Sequence, residues 1–415
     1  MNRPTLIRQA TVWQNGIASP YRMDLRIEDG VITQLGEQAN ADGAEVINAD
    51  DLHVSAGWVD LMANLREPGL EHKEGLRSGL DAAQAGGFTQ VLISPEVHPA
   101  IDTKAGVEYL IQRTSGHAVK ALVAGAMTKR LDGKELAEMY DMHMSGAVAF
   151  HNGKHAVADA RLMALAMQYV QDFGGRIFSF PLDVRMAQGG VANEGTEATK
   201  LGLRPIPALA EELVVMRDLA LAEYLGTPLH LMCISTPGAV AAIRSAKEKG
   251  MDVTASVAAH HLYITDAWLG TFDPNLRTMP PFRSDAQVQM LRDAVADGTI
   301  DCVVSDHEPH DIEAKQVEFN QAESGIAALE TAFAAANMGM GPHRLGALIN
   351  ALTIGPRKVL GQQVPEIREG AKAELTLFSP TLLWTPERAT LRTRGRNCPL
   401  LGREVMGKAV GTVVG

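Results

Sequence analysis

Apolar and polar residues follow three different patterns along the chain. From Thr5 to about Val54, short alternating runs separated by turn residues predict β-strands, and Asp29-Gly30 between two of these runs indicates a hairpin. From Gly57 to about Gly361, strand-like apolar runs alternate with helix-like segments. Beyond Gly361 the short β-like runs return. The two ends of the chain therefore share one kind of secondary structure, and the middle has another.

The middle stretch repeats a strand followed by a helix. One helix is predicted from Lys73 to Ala85, because Gly86-Gly87 ends it before the apolar strand from Phe88 to Ile93. A second helix is predicted to begin at Pro237, after the strand from Pro228 to Ile234. Alternation of this kind over roughly 300 residues predicts an α/β fold with a parallel sheet, closed as a (β/α)8 TIM-type barrel. Residues 55–361 are assigned to this barrel, and residues 1–54 and 362–415 to a small β-sandwich domain built from both termini.

Composition and charge argue against several classes of partner. The 415 residues are 46% hydrophobic and 21% charged, as in a globular protein, and the net charge of -11 argues against a nucleic acid or an anionic membrane. No apolar run is long enough to cross a bilayer, and the start of the chain does not resemble a signal peptide. Cys233, Cys302 and Cys398 are far apart and form no C-x-x-C pair. These features predict a cytoplasmic protein without a disulfide framework.

Several motifs carry a resemblance to a known family. The stretch Gly57-Trp-Val-Asp-Leu-Met-Ala-Asn-Leu-Arg-Glu-Pro-Gly69 resembles the first-strand motif of dihydroorotases, G-x-x-D-x-H-x-H-L-R-E-P-G. Further matches follow in the same order, among them Ser305-Asp-His-Glu-Pro-His310 and the closing segment Asn397-Cys-Pro-Leu-Leu-Gly. The chain is similar to class I dihydroorotases of the amidohydrolase superfamily, and this resemblance implies a barrel with a zinc-dependent reaction.

The resemblance also indicates which metal-binding side chains are replaced. At the family's ligand positions this chain has Met62, Asn64, Asn152, Gly153, Phe180 and Cys233. A thioether and a carboxamide are poor zinc ligands, and the anion that bridges two divalent cations is lost at positions 152 and 153. Of the usual ligands Asp306 remains, and the family also uses that aspartate for proton transfer. The resemblance therefore predicts degenerate metal positions, no metal or other cofactor, and a vestigial Asp306 without a catalytic role.

The family's substrate positions are partly kept. Arg66 and His310 match positions that hold the substrate carboxylate, so they are expected to be remnants of the pocket. Glu96 and Met279 replace two asparagines, and a carboxylate at position 96 would repel an anionic ligand. Affinity for dihydroorotate or carbamoyl aspartate is therefore expected to be poor.

Three hypotheses about function follow from the resemblance. The first is a non-catalytic dihydroorotase-like protein of pyrimidine biosynthesis, because inactive relatives resembling this chain associate with the catalytic chain of aspartate carbamoyltransferase and support its assembly. It predicts that the chain is not an enzyme and that it forms a homo- or hetero-oligomer. The second is an active zinc-dependent cyclic amidohydrolase of the dihydroorotase type, with a metal site rebuilt from His151, His155, Cys233 and Asp306. The third is a small-molecule sensor that uses the remnant pocket.

Overall fold

The computed structural model describes residues 3–48 and 51–415. Its strands are β1 (Thr5–Gln14), β2 (Ile17–Ala18), β3 (Met23–Glu28), β4 (Val31–Gly36), β5 (Glu45–Ile47), β6 (His53–Ala56), β7 (Trp58–Ala63), β8 (Phe88–Ile93), β9 (Lys120–Ala126), β10 (Ala147–His151), β11 (Ile177–Ser179), β12 (Ala192–Asn193), β13 (Pro205–Ile206), β14 (Leu229–Leu231), β15 (Val253–Ala258), β16 (Cys302–Val304), β17 (Glu374–Trp384) and β18 (Val405–Val414).

Its α-helices are α1 (Leu76–Ala85), α2 (Lys104–Thr114), α3 (Met139–Met144), α4 (Ala160–Gln171), α5 (Thr196–Leu201), α6 (Leu209–Leu225), α7 (Pro237–Glu248), α8 (Asp285–Ala296), α9 (Ala332–Met340) and α10 (Leu345–Val359). Short 3-10 helices span Lys129–Leu131, Ala259–Leu262, Asp266–Thr271, Pro274–Leu276 and Pro342–Arg344. None of the helices in the described ranges is both long and apolar enough to span a bilayer.

The middle of the chain forms a nearly closed parallel barrel. Its eight strands pair in the order β7, β8, β9, β10, β11, β14, β15 and β16. The two ends of this sheet meet where Ala63 bridges His307, and the Asn64 amide donates to the His307 carbonyl at 2.9 Å. The predicted (β/α)8 barrel is therefore confirmed. Apolar side chains such as Val59, Leu92 and Phe178 fill its interior.

Strands from the two ends of the chain form one β-rich unit. The pairing order is β18, β17, β6, β1, β3 and β4, and β2 and β5 also pair with β1. The apolar face of this sheet buries Leu25, Val54 and Leu375 in a common cluster. A β-rich domain built from both termini is thus confirmed, whereas the limits predicted for the two domains stay a prediction.

A buried arginine connects the barrel to this sheet. Arg357 of α10 is fully buried and donates hydrogen bonds to the carbonyl of Gly57 at 2.6 Å and to Glu374 of β17 at 2.5 Å. The same Glu374 oxygen accepts from Thr89 at 2.9 Å and Gln90 at 3.0 Å, both in β8. Because the Glu374 carboxylate has three donors from the barrel, the β-rich unit is held in a defined position against it.

Candidate functional site

Three charged side chains meet at the carboxyl end of the barrel. Lys154 lies on the loop after β10, and Asp306 and Glu308 lie on the loop after β16. The Lys154 ammonium lies 2.9 Å from Asp306 Oδ2 and 3.2 Å from Glu308 Oε2, and it donates a 2.6 Å hydrogen bond to the carbonyl of Met279. Barrel enzymes place their functional residues at this end. These three charged residues are called the Lys154 cluster below.

Burial makes the charges in the Lys154 cluster depend on one another. The Lys154 side chain is 10% exposed and that of Asp306 is 1% exposed. Burial lowers the pKa of Lys154, but the charges of Asp306 and Glu308 outweigh it and raise this pKa above its ordinary value. Burial raises the pKa of Asp306 to about 7 despite the Lys154 charge, and the second carboxylate, Glu308, adds to the rise. The ammonium therefore stays charged, whereas the Asp306 carboxyl can bind and release a proton near neutral pH.

Three neutral side chains lie beside the Lys154 cluster, and the Glu96 carboxylate accepts from the Lys154 amide at 3.1 Å. Cys233 Sγ lies 3.6 Å from Asp306 Oδ1, and His260 Nε2 lies 3.8 Å from Asp306 Oδ2. The Phe180 ring centre is 6.0 Å from the Lys154 ammonium. Burial raises the pKa of the Cys233 thiol well above its ordinary value and lowers the pKa of His260 well below its own. Cys233 is therefore a thiol rather than a thiolate, and His260 is an uncharged imidazole.

Met62 of β7 and Asn64 directly after this strand, two of the replaced ligand positions, make structural contacts. Met62 packs in the apolar interior of the barrel, in the same cluster as Phe180 and Cys233. The Asn64 side chain donates to the Glu96 carbonyl at 3.1 Å and accepts from the Arg66 amide at 3.1 Å. Met62 fills space, and Asn64 holds the loop that follows β7.

Asn152 and Gly153, which stand where the family has its bridging anion, also have structural roles. Asn152 Oδ1 accepts from the amides of Met127 and Thr128 at 3.1 and 3.0 Å, and its Nδ2 donates to the Thr128 hydroxyl at 2.7 Å. Gly153 has φ +60°, and a Cβ there would lie 2.2 Å from a Glu96 carboxylate oxygen. Glycine at 153 therefore permits both the left-handed turn and the close approach of Glu96. The turn leads directly into Lys154.

The donor set at this end of the barrel does not fit a binuclear zinc centre. No group of three or more His, Cys, Asp or Glu side chains within residues 3–48 and 51–415 is arranged to hold a metal ion. His155 is 57% exposed at its side chain, and His151 uses Nδ1 to accept from the Gly153 amide, so neither joins Cys233 and Asp306. The ammonium of Lys154 lies between the two carboxylates that a cation would need.

Arg66 and His310 are engaged in contacts within the protein. Arg66 Nε donates to a loop carbonyl at 3.3 Å, and its Nη1 lies 3.9 Å from Glu96 Oε1. His310 Nδ1 lies 3.1 Å from Glu323 Oε2, and its Nε2 lies 2.9 Å from the Ser324 carbonyl. These contacts brace the loops after β7 and β16. The sensor role of the remnant pocket stays a prediction.

The sequence patterns do not single out Lys154 or Glu308, although both belong to the cluster. Lys154 comes directly after Asn152-Gly153, where the family's bridging anion is lost, and Glu308 comes two residues after Asp306. Two sequence features could have indicated the cluster: the lysine at 154 follows the position of the lost anion, and the glutamate at 308 lies close to the retained Asp306. A cation and two carboxylates at strand ends of one barrel are expected to attract one another.

Curated relatives match the chain over nearly its full length. A dihydroorotase of Citrifermentans bemidjiense is 38% identical over 396 residues, which cover 94% of this chain and 93% of the relative. A dihydroorotase of Geobacter metallireducens is 36% identical over 397 residues, which cover 95% of this chain and 94% of the relative. The model of a family described as Dihydro-orotase-like matches residues 53–238.

Solved structures share the fold. An L-hydantoinase (dihydropyrimidinase) from Arthrobacter aurescens has a TM-score of 0.84 at 20% identity and covers 100% of this chain and 95% of its own. A D-hydantoinase has a TM-score of 0.80 at 20% identity, with 99% of this chain and 94% of its own covered. The barrel with an attached β-rich unit is thus the fold of known cyclic amidohydrolases.

The comparison with relatives corrects one prediction. The expectation that the chain is not an enzyme is wrong, because relatives 38% and 36% identical over 94% and 95% of this chain are named for an enzyme, dihydroorotase. That expectation rested on the loss of the metal-ligating side chains. It did not consider the charged cluster that replaces them. From the shared motifs, the fold and these full-length relatives, the chain belongs to the dihydroorotase-like family of cyclic amidohydrolases.

Proposed function

We propose that the chain hydrolyses a cyclic amide at the Lys154 cluster, with the Lys154 ammonium as the resident cation. The observation that carries this proposal is the ammonium held 2.9 and 3.2 Å from two carboxylates at the catalytic end of the barrel. Membership in the dihydroorotase-like family supports the reaction class, since the named relatives are dihydroorotases. The replaced zinc ligands support a mechanism that relies on this chain's own charges.

Asp306 is the proton-transfer group in this proposal. Its carboxylate takes a proton from a water molecule, and the water oxygen attacks the ring carbonyl carbon. The Lys154 ammonium exchanges its hydrogen bond to the Met279 carbonyl for one to the substrate oxygen, where negative charge develops. The ring C–N bond then breaks, and Asp306 returns the proton to the ring nitrogen. One water is consumed and no further reactant is needed.

Turnover of protein purified with a chelator tests the proposal. Dihydroorotate and the uncharged dihydrouracil are the two probes, because Glu96 is expected to disfavour the carboxylate that dihydroorotate carries on its ring. Asp306→Asn should lower kcat/KM by roughly 100- to 10,000-fold, since a carboxamide does not accept the proton. Asp172→Asn, an exposed change at the end of α4, should keep the wild-type rate. Absence of turnover with both rings, or an Asp306→Asn variant as fast as wild type, would contradict the proposal.

We also propose that the chain associates with the catalytic chain of aspartate carbamoyltransferase. The resemblance to relatives that do so supports this partner, and one surface favours a protein contact. Leu209, Leu213 and Met216 of α6 are 50%, 44% and 48% exposed, and Tyr224 near its end is 86% exposed. Their spacing places the first three along one side of the helix. Contiguous exposed apolar side chains are typical of an interaction surface.

Size-exclusion chromatography of the two purified proteins tests this association. The mixture should elute earlier than either protein alone, and Leu213→Glu with Met216→Glu should restore separate elution, because charges on the apolar side of α6 oppose its burial. Ile17→Glu, which changes an apolar side chain 72% exposed elsewhere, is the matched control and should co-elute like wild type. Separate elution of the wild-type proteins at micromolar concentration would count against the partner.

We propose the cytoplasm as the compartment of the chain. Cys233, Cys302 and Cys398 are all buried free thiols, the usual state of cysteine in a reducing compartment. Cell fractionation should recover the protein with cytoplasmic markers, and recovery from the secreted fraction would be inconsistent with this assignment.

A further inference from the structure

A cavity outside the Lys154 cluster has the chemistry of an anion-binding site. Its volume is about 490 Å³, within the range of small-molecule sites. Its wall combines residues 388–397, near the C-terminal end, with residues 310–317 on the loop after β16, so it includes His310, which was expected to be a remnant of the substrate pocket. We propose that this cavity binds a small organic phosphate, meaning a phosphate ester that carries an apolar group.

Guanidinium groups supply the positive charge of the cavity. Arg388, Arg394 and Arg396 all lie in its wall. Arg394 Nη1 donates to the Glu71 carbonyl, and Arg396 Nη1 donates to the carbonyls of Leu391 and Thr393. These bonds orient the two side chains and leave other N–H groups for a ligand. Asp311, which also lines the cavity, lies 3.3 Å from His72. Within the described part of the chain it forms no ion pair with these arginines. Guanidinium pairs with phosphate through two parallel hydrogen bonds, so three of them favour a phosphate group.

The remaining wall is apolar and favours a ligand larger than inorganic phosphate. Ile312 and Val317, which are 50% and 37% exposed, line the cavity together with Pro274. Burying an apolar group of the ligand against these side chains adds to the affinity. The carboxylate of Glu313 lies in the same wall, so the phosphate is expected on the arginine side.

A buried lysine fixes the shape of the cavity before any ligand binds. Lys315 is 7% exposed, and its ammonium donates to the carbonyls of Pro274, Arg277 and Glu323 at 3.2, 3.3 and 2.6 Å. These bonds attach the part of the loop that carries Ile312 to the segment around Pro274 and to a later part of the same loop. A wall held in place in this way loses little conformational entropy on binding.

Isothermal titration of the full chain with adenosine monophosphate, adenosine and inorganic phosphate tests the proposal. Adenosine monophosphate should bind more tightly than either of the other two, because it alone offers both the phosphate and a base whose flat faces can pack on the apolar wall. Arg388→Glu should weaken its binding by roughly tenfold to a hundredfold, since charge-assisted hydrogen bonds are replaced by repulsion. Arg388→Lys keeps the charge but not the paired hydrogen bonds and should have a smaller effect.

Arg161→Glu is the matched control, because Arg161 is an exposed residue of α4 and the variant undergoes the same change in charge. It should bind adenosine monophosphate as the wild type does. Three results would overturn the proposal: no heat with adenosine monophosphate at millimolar concentration, equal affinity for inorganic phosphate, or an Arg388→Glu variant with wild-type affinity. Both Arg388 variants leave the Lys154 cluster unchanged, so failure of the proposed hydrolysis and failure of this site are distinguishable.

Discussion

Lys154→Met should lower the rate of cyclic-amide hydrolysis by roughly 1,000-fold, the scale of losing a charged group that stabilises a developing oxyanion. Methionine keeps much of the side-chain length but removes the charge from a position 2.9 Å from Asp306 and 3.2 Å from Glu308. The two carboxylates then lack their shared cation, so the pKa of Asp306 should rise further and its proton-accepting form should become scarce at pH 7. Steady-state kinetics should show the loss in kcat and in kcat/KM.

Two variants show whether this loss reflects the charge or a general disturbance of the fold. Lys154→Arg keeps a cation and should recover part of the rate. Lys129→Met removes the ammonium of an exposed ion pair with Glu135, and its rate should equal that of the wild type. A Lys154→Met variant that folds and turns over like wild type would show that the ammonium has no role in the reaction.

Arg357→Met should reduce the free energy of unfolding by about 3–5 kcal/mol. The guanidinium is fully buried and donates to Gly57, Thr353 and Glu374. Methionine leaves two backbone carbonyls and a carboxylate without this donor where the barrel meets the β-rich unit. Urea unfolding followed by circular dichroism measures the change, and tryptophan fluorescence, to which the buried Trp58 contributes together with the other three tryptophans, is a second measure of unfolding.

An exposed arginine provides the comparison for this variant. Arg368 pairs with Glu366 at 2.6 Å, and both side chains are 66% exposed. Arg368→Met should change the free energy of unfolding by less than about 1 kcal/mol, because solvent screens such a pair. Equal losses of unfolding free energy from the two substitutions would mean that burial does not determine how much Arg357 contributes to stability.

Local sequence signals predicted several elements at close to their observed bounds. The apolar run from Phe88 to Ile93 is β8 with the same limits, and Asp29-Gly30 joins β3 to β4 with φ of 45° and 76°. These features depend on side-chain pattern and backbone preference within a few residues, which the sequence displays directly.

Other bounds depend on contacts that a local pattern does not contain. The helix predicted from Lys73 begins at Leu76, because Gly75 is extended and the Leu76 amide donates to Glu67 at 2.9 Å. The strand predicted from Pro228 to Ile234 is limited to β14, and Cys233, with φ 51°, lies outside the extended region. In both cases tertiary contacts or loop geometry shortened the element.

The candidate site was only partly predictable for the same reason. The motifs located the replaced ligand positions and the retained Asp306, because each lies in a short recognisable stretch. Lys154 contacts Asp306 across 152 residues of sequence, and only closure of the barrel brings the two loops together. Counting lost ligands therefore led to the wrong conclusion that the chain is not an enzyme.

The source of the positive charge in the barrel is tested on one sample of wild-type protein, purified with a chelator. Elemental analysis of one half gives its zinc content, and the hydrolysis assay of the other half gives its turnover. Turnover in protein that contains far less than one zinc ion per chain, abolished by Lys154→Met, is the expected result. Two zinc ions retained per chain, or turnover that appears only after zinc is added back, would contradict the account.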